Sequence, residues 1–318
     1  MAPANRRPSA RTFALGLSTL LAAGLLSVTS VARAAPPAPT TLAVLGDTPY
    51  SATQRAQLPA LINAVDADPA VRMVLHAGDM KDSTTPCSDS QFRGLASLFG
   101  TFDDPFVLTP GDNDWTDCHQ ASTGRFLPTE RLAALRRIFY PVPGRTLGGA
   151  PATVTSQATY VENVRFVRSG VLLATVHVVG SNNDLAPWSG LVGGDRPAER
   201  RAEFDARRAA NLAWINAAFD NAVATGAYGV LLMLQAEPVA TSAFSAERSL
   251  IAQRAAQFGR PVLLVHGDEH RFEVQARYLG VANLTRLETY GNTAGYWLRV
   301  TIDPSLPQVF SWQSRRVG

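Results

Sequence analysis

Four aspartates in this 318-residue chain share one local setting. Asp47, Asp79, Asp112 and Asp268 each follow a glycine directly and stand just past a short apolar run: residues 42–45, 71–75, 106–108 and 262–265. His270 follows Asp268 by two positions. Carboxylates are costly to gather unless a cation or hydrogen bonds neutralise them. A divalent cation does this, and it also holds phosphate oxygens and lowers the pKa of bound water. One strand-end Asp is ordinary, because such residues cap helices and turns. Four in series favour a shared metal or polar site.

The elements that would position them follow a rhythm of apolar strand, acidic loop and helix. Leu42–Leu45, Val71–Leu75 and Phe106–Leu108 read as short buried strands. Gln54–Asp66 carries apolar residues at helical spacing (Leu58, Leu61, Ile62, Val65), and Phe92–Phe99 and Glu130–Phe139 also read as helices. Arg131, Arg136 and Arg137 are expected on the wetter face of the last. This order suggests crossover units on a mostly parallel sheet, whose ligands collect at the carboxyl ends of strands. The second half is richer in strands: Thr159–Phe166, Val171–Val179 broken only by His177, Val230–Leu234, Val262–Val265, Leu284–Tyr290 and Tyr296–Ile302. Arg200–Asn221 reads as a long helix. No linker separates domains, so one two-sheet domain with helices outside is the simplest reading.

Residues 1–34 read as a secretory signal peptide. Arg6, Arg7 and Arg11 precede an apolar stretch from Phe13 to about Val28, and Ala32-Arg33-Ala34 offers a cleavage site. The Arg6-Arg7 pair also suits a twin-arginine route. The reading places the protein in the periplasm or outside the cell, with residues 35–40 as a flexible Pro/Ala leader and 41–318 as the domain. That segment holds four arginines and no acid, so the formal +3 of the chain becomes about −1 without it. No nucleic-acid surface is implied, and no later stretch is long and apolar enough for a membrane span. The sequence does not predict an oligomer. Cys87 and Cys118 are the only cysteines. They suit a disulfide in an oxidising compartment, and two thiols cannot fill a metal site alone.

The chain resembles the calcineurin-like metallophosphoesterases, whose pattern runs Asp-x-His, Gly-Asp-x-x-Asp, Gly-Asn-His-Asp/Glu, a later His, then Gly-His-x-His. Here the matching stretches are Gly46-Asp47-Thr48-Pro49, Gly78-Asp79-Met80-Lys81-Asp82, Gly111-Asp112-Asn113-Asp114 and Gly267-Asp268-Glu269-His270, over about residues 41–302. The resemblance implies an α/β fold, a metallophosphoesterase-like two-sheet β-sandwich flanked by helices. It also implies metal ligation by Asp47, Asp79 and His270, with Asp79 bridging two ions. Asp112 replaces a ligating Asn, and Asp268 replaces a His ligand. Pro49 replaces another His and has no donor. Asn113 stands where the family has a histidine; it can hydrogen-bond a phosphate but cannot act as a general acid near neutral pH. The later His is missing: its motif falls on Ala236-Glu237-Pro238, where Glu237 is a candidate substitute and Gln235 lies just before. Lost histidines and retained carboxylates favour Mg²⁺, Mn²⁺ or Ca²⁺ over Zn²⁺ or Fe.

His177 and His119 are the candidate proton donors. His177 interrupts an apolar strand, so it either projects toward the site or sits satisfied in the core. His76 and His266 read as structural histidines beneath the loops. Trp115, Trp188 and Tyr50 are candidates for an aromatic wall, and Asn283-Leu284-Thr285 matches a glycosylation acceptor. Two functions follow. One is an exported metal-dependent hydrolase of phosphomonoesters or phosphodiesters, with a small phosphorylated substrate. The other is a catalytically degenerate protein that binds a metal, a phosphorylated ligand or a cell-surface component. No Gly-x-Ser-x-Gly elbow supports a serine hydrolase.

Overall fold

Strand β1 (Thr40–Leu45) alternates its burial between two cores. Leu42 and Val44 face one apolar cluster, and Ala43 and Leu45 face another. That alternation is the period-2 pleat of a strand covered on both sides, and it explains why the strand reads as a continuous apolar run.

The computed structural model describes residues 1–5, 9, 35–293 and 295–317. The targeting segment was read mainly from residues that lie outside these. Residues 36–318 form one unit. Its first sheet has the order β12-β11-β1-β2-β3. It joins β1 to β2 (Val71–His76), β3 (Phe106–Leu108), β11 (Tyr296–Ile302) and β12 (Phe310–Arg316). The second has the order β4-β5-β6-β7-β8-β10-β9. Its strands are β4 (Thr155–Ser156), β5 (Val164–Arg168), β6 (Val171–Thr175), β7 (Gly229–Met233), β8 (Val262–His266), β9 (Glu273–Ala276) and β10 (Leu284–Glu288). Both sheets are mixed. β1, β2 and β3 run parallel, as do β6, β7, β8 and β10, while β11 and β12 close the first sheet antiparallel.

The inner faces meet through Leu42, Leu75, Leu173, Leu231, Val265 and Leu298. Outside the first sheet lie α1 (Ala52–Asp66), α2 (Asp89–Phe99) and α3 (Pro128–Phe139), seated through Leu61, Phe92 and Leu135. Outside the second lie α5 (Pro197–Ala224) and α6 (Ser245–Phe258), seated through Phe219 and Ile251. Each such side chain contributes about 1.5–3 kcal/mol when fully buried. The result is the expected α/β architecture of two sheets between helical layers. Among the described residues, no helix is long and apolar enough to cross a membrane.

Local expectations differ in several places. Residues 159–163 are not strand; Asn163 N–H turns back to Tyr160 O at 2.9 Å, and β5 begins at Val164. β6 ends at Thr175, so His177 lies past the strand, before the single turn α4 (Gly180–Asn183). Arg131 is buried rather than wet: its guanidinium donates to Cys87 O at 2.8 Å and Asp89 Oδ1 at 3.0 Å. Helix α6 and strand β12 were not anticipated.

Candidate metal centre

Three loops of the first sheet and two of the second converge. β1 leads to Asp47, β2 leads to Asp79, β3 leads to Asp112, β7 leads to Gln235, and β8 leads to Asp268 and His270. Ligand-capable atoms of Asp47, Asp79 and His270 lie within 4.8 Å of one another, and so do those of Asp79, Asp112 and Asp268. The two groups share Asp79. All five residues expected to bind metal are therefore brought together.

The backbone is bent to achieve this. Asp47, Asp79, Asp268 and His270 all have left-handed φ, at 51°, 57°, 80° and 58°. Such conformations are costly for residues with a Cβ and persist where the surroundings over-determine them. Two glycines make room. A Cβ on Gly111 would lie 1.9 Å from Asp79 Oδ1, and one on Gly267 would lie 2.2 Å from Asp47 Oδ2.

Hydrogen bonds fix the carboxylates. Asn113 donates its backbone N–H to Asp79 Oδ1 at 3.1 Å and its side-chain amide to Oδ2 at 2.8 Å. The Tyr50 hydroxyl donates to Asp79 Oδ2 at 2.5 Å. Asp114 does not join either group. It accepts from the backbone N–H of Asp79, Met80 and Gly111, at 3.0, 2.9 and 2.8 Å, and so ties the β2 and β3 loops together. Gln235 donates to Asp268 Oδ1 at 2.8 Å and to Asp112 Oδ1 at 3.2 Å, while its own oxygen accepts from Gly180 N–H at 2.7 Å. Ser181 donates to Asp112 Oδ2 at 3.1 Å. Asp268 N–H donates to Asp47 Oδ1 at 3.0 Å.

This packing perturbs the acids. Burial, then Asp112, Asp114 and Asp47, pushes Asp79 well up. Burial raises Asp47 against the pull of His270. Burial and Asp117 lift Asp112 to about 7, and burial and Asp112 lift Asp268 to about 8. The Asp47 carboxylate raises His270. A bound cation inverts this logic by favouring the ionised acids and the neutral imidazole.

The residues fit a divalent metal on two grounds. The donor set is four carboxylates and one imidazole. His270 Nε2 is buried and has no hydrogen-bond partner, although it stands 3.5 Å from Asp47 Oδ1. A buried polar atom without a partner is unusual, and an unplaced ion is one explanation for it.

The other sequence candidates fall elsewhere. His177 is fully buried, its Nδ1 is 2.7 Å from Glu162 Oε1, and its ring packs against Trp115 at 5.4 Å. His119 is 6% exposed; its Nδ1 accepts from Gly190 N–H at 3.2 Å. Neither belongs to the two ligand groups. His76 Nε2 donates to Thr48 O at 2.8 Å, and His266 Nδ1 donates to Gly267 O at 2.7 Å. Both brace loop backbones. Glu237 does not replace the missing histidine: it pairs with Arg286 at 3.1 Å and accepts from Tyr278. Gln235, two residues earlier, reaches the cluster instead. Trp115 and Trp188 are fully buried, so only Tyr50 of the proposed aromatic wall stands at the site. Asn283 spends its amide on the carbonyls of Ala255 and Arg260. Cys87 and Cys118 are bonded, and their sulfurs lie 3.8 and 3.9 Å from the Asn113 carbonyl oxygen.

Three solved structures are similar over most of the chain. GAP50, the anchor in the inner membrane complex of Plasmodium, is 9% identical over 88% of this chain and 89% of its own, with a TM-score of 0.46. Purple acid phosphatase PPD1 from yellow lupin seeds is 10% identical over 88% of this chain and 54% of its own, with a TM-score of 0.46. The calcineurin-like phosphoesterase YfkN from Bacillus subtilis is 10% identical over 89% and 92%, with a TM-score of 0.45. No curated protein sequence matches the chain. The sequence pattern of the calcineurin-like phosphoesterases matches residues 40–272. With that match over most of the chain, and with its acidic motifs gathered at one place, this protein belongs to the calcineurin-like phosphoesterase family.

Proposed function

We propose that this protein is a metal-dependent phosphoesterase that hydrolyses a phosphomonoester or phosphodiester outside the cytoplasm. The observation that carries the reading is the pair of three-residue ligand groups joined by Asp79. Asp47, Asp79 and His270 would hold one cation, and Asp79, Asp112 and Asp268 a second. The oxygen-rich set favours Mg²⁺, Mn²⁺ or Ca²⁺ over Zn²⁺ or Fe. When bound, such ions polarise phosphate oxygens and make water a competent nucleophile near neutral pH. The chain's own residues supply positioning. Asn113 and Tyr50 fix the shared carboxylate, and Gln235 spaces Asp112 from Asp268; the Asn113 amide gives its two hydrogens to Asp79 and Tyr50 and so serves the carboxylate rather than the phosphate. His177 has no exposed atom and is held by Glu162, so it is assigned a structural role rather than proton donation. The targeting-type segment supports action outside the cytoplasm, and the Cys87–Cys118 bond accords with an oxidising compartment.

One observation favours a second reading, binding without turnover. Asn113 stands where the resemblance places a histidine, and an amide donates no proton to a leaving group. One experiment separates the two. Protein stripped of metal is resupplied with Mg²⁺, Mn²⁺, Ca²⁺ or Zn²⁺ and offered generic phosphomonoesters and phosphodiesters, beside Asp79→Asn. Turnover restored by an ion and lost in Asp79→Asn supports the hydrolase. Ion binding without turnover supports the binding protein.

A further inference from the structure

A cavity of about 170 Å³ lies between the loops that carry Asp47 and Asp79. Pro49, Ser51, Arg55, Lys81, Thr85 and Gln91 line it, and no carboxylate does. It has the volume for a tetrahedral oxyanion.

Three features with donors border it, and one of them, Lys81, is already matched by acids. The first turn of α1 borders it through Ser51 and Ala52, and that turn contains no acid. A helix N-terminus presents free N–H groups and favours anions. Lys81, the chain's single lysine, is 1% exposed and makes one hydrogen bond, to Asp82 O at 3.2 Å. It also faces the carboxylates of Asp114, Asp79, Asp82 and Asp117. Arg55 differs from Lys81 in this respect. Among the described residues its guanidinium has no ion pair, and its Nη1 is buried without a hydrogen-bond partner.

The neighbouring helix is built around that guanidinium. Gly94 lies inside α2, where glycine is unfavourable. A Cβ there would stand 2.4 Å from Arg55 Nη2. Gly94 therefore leaves room for a half-buried arginine that has no ion pair among the described residues. A buried guanidinium nitrogen without an acceptor calls for an oxyanion, which arginine binds in a bidentate manner.

We propose that this cavity is an anion subsite that takes a second phosphoryl group of the substrate, beside the metal centre. The inference rests on the phosphoesterase reading. It defines the preferred substrate as a phosphoester with a further phosphate, and it makes free inorganic phosphate a ligand of the same cavity.

The first test does not depend on turnover. Inorganic phosphate is titrated calorimetrically into metal-free protein. Wild type should bind it, and Arg55→Met should weaken binding at least about tenfold, as expected for a lost charged hydrogen bond. Gly94→Ala, which unseats the guanidinium from another helix, should weaken it as well. Equal affinity in wild type, Arg55→Met and Gly94→Ala, or no binding by wild type at 20-fold excess over millimolar protein (~20 mM), overturns the subsite. Arg55→Lys keeps the charge and serves if the methionine variant does not fold.

The second test separates the substrate's phosphoryl group from free phosphate. In metal-loaded protein, Arg55→Met should raise KM for a sugar bisphosphate about tenfold more than for the matching monophosphate. Equal shifts overturn the second-phosphoryl assignment. If neither sugar nor any generic phosphomonoester or phosphodiester is turned over, the phosphoesterase reading fails, while the phosphate titration still decides whether the cavity binds an anion.

Discussion

Asn113 holds Asp79 by both carboxylate oxygens, one from its backbone N–H and one from its side-chain amide. The residue that departs from the family pattern thus positions the carboxylate shared by both ligand groups. The departure is chemically coupled to the site rather than a loss at its edge.

The crowded acids predict a pH signature in metal-free protein. Burial, with Asp117, lifts Asp112 from an ordinary 3.8 to about 7. A raised acid favours the folded state while protonated. Its contribution is intact below about pH 4 and is lost as pH climbs through 7. Asp112→Asn should therefore match wild type near pH 4 and be more stable by roughly 2–4 kcal/mol above pH 7. Urea unfolding of both proteins across that range checks it. A stability difference that is flat with pH refutes the assignment. Saturating Mn²⁺ should reverse the order, because the variant loses a ligand.

Gln235 carries no charge, yet it spans Asp112 and Asp268. Outer-shell partners of this kind are worth about 10–100-fold in metal affinity. Gln235→Leu should weaken Mn²⁺ binding by that amount, read by calorimetry, with Asp268 left nearly as buried. Undiminished affinity would show that the amide only fills space.

The Cys87–Cys118 bond closes a separation of 31 residues. Chain entropy gives it about 3–4 kcal/mol. Both sulfurs touch the Asn113 carbonyl. The Cys87→Ala/Cys118→Ala protein should lose that stability and also bind Mn²⁺ less tightly. An unchanged affinity in the folded double variant would confine the bond to a stability role.

His177 provides the opposite case. With its ring enclosed and held by Glu162, His177→Asn should cost about 1–3 kcal/mol, the penalty for disturbing a buried polar partner. The pH profile of kcat should keep its shape. Loss of one limb of that profile would restore His177 as the proton donor.

The sequence pointed to the clustered acids because their setting is local: a glycine, an aspartate and a preceding apolar strand. The strands themselves were legible because helices cover both outer faces, which makes β1, β7 and β8 apolar throughout. Strand β12 was not, since only Phe310 of its seven residues is buried, Trp312 is half-buried, and the other five are polar and lie on an edge. Helix α6 buries only Glu247, Ile251 and Ala255, too thin a stripe to read. Gln235 and Tyr50 act across more than 25 residues of separation. No spacing rule reaches that far, and a neutral amide gives no charge signal.

Each ligand group draws donors from both sheets. Asp47 and Asp79 meet His270 from the far side, and Asp79 and Asp112 meet Asp268. A chain with one sheet formed holds at most two donors of either group. Cation affinity would therefore gauge whether the halves have docked, and a bound ion would clamp the seam. Each tenfold rise of a cation above its Kd would add about 1.4 kcal/mol to the docked state. The salt composition around the protein would then set how firmly its two halves stay closed.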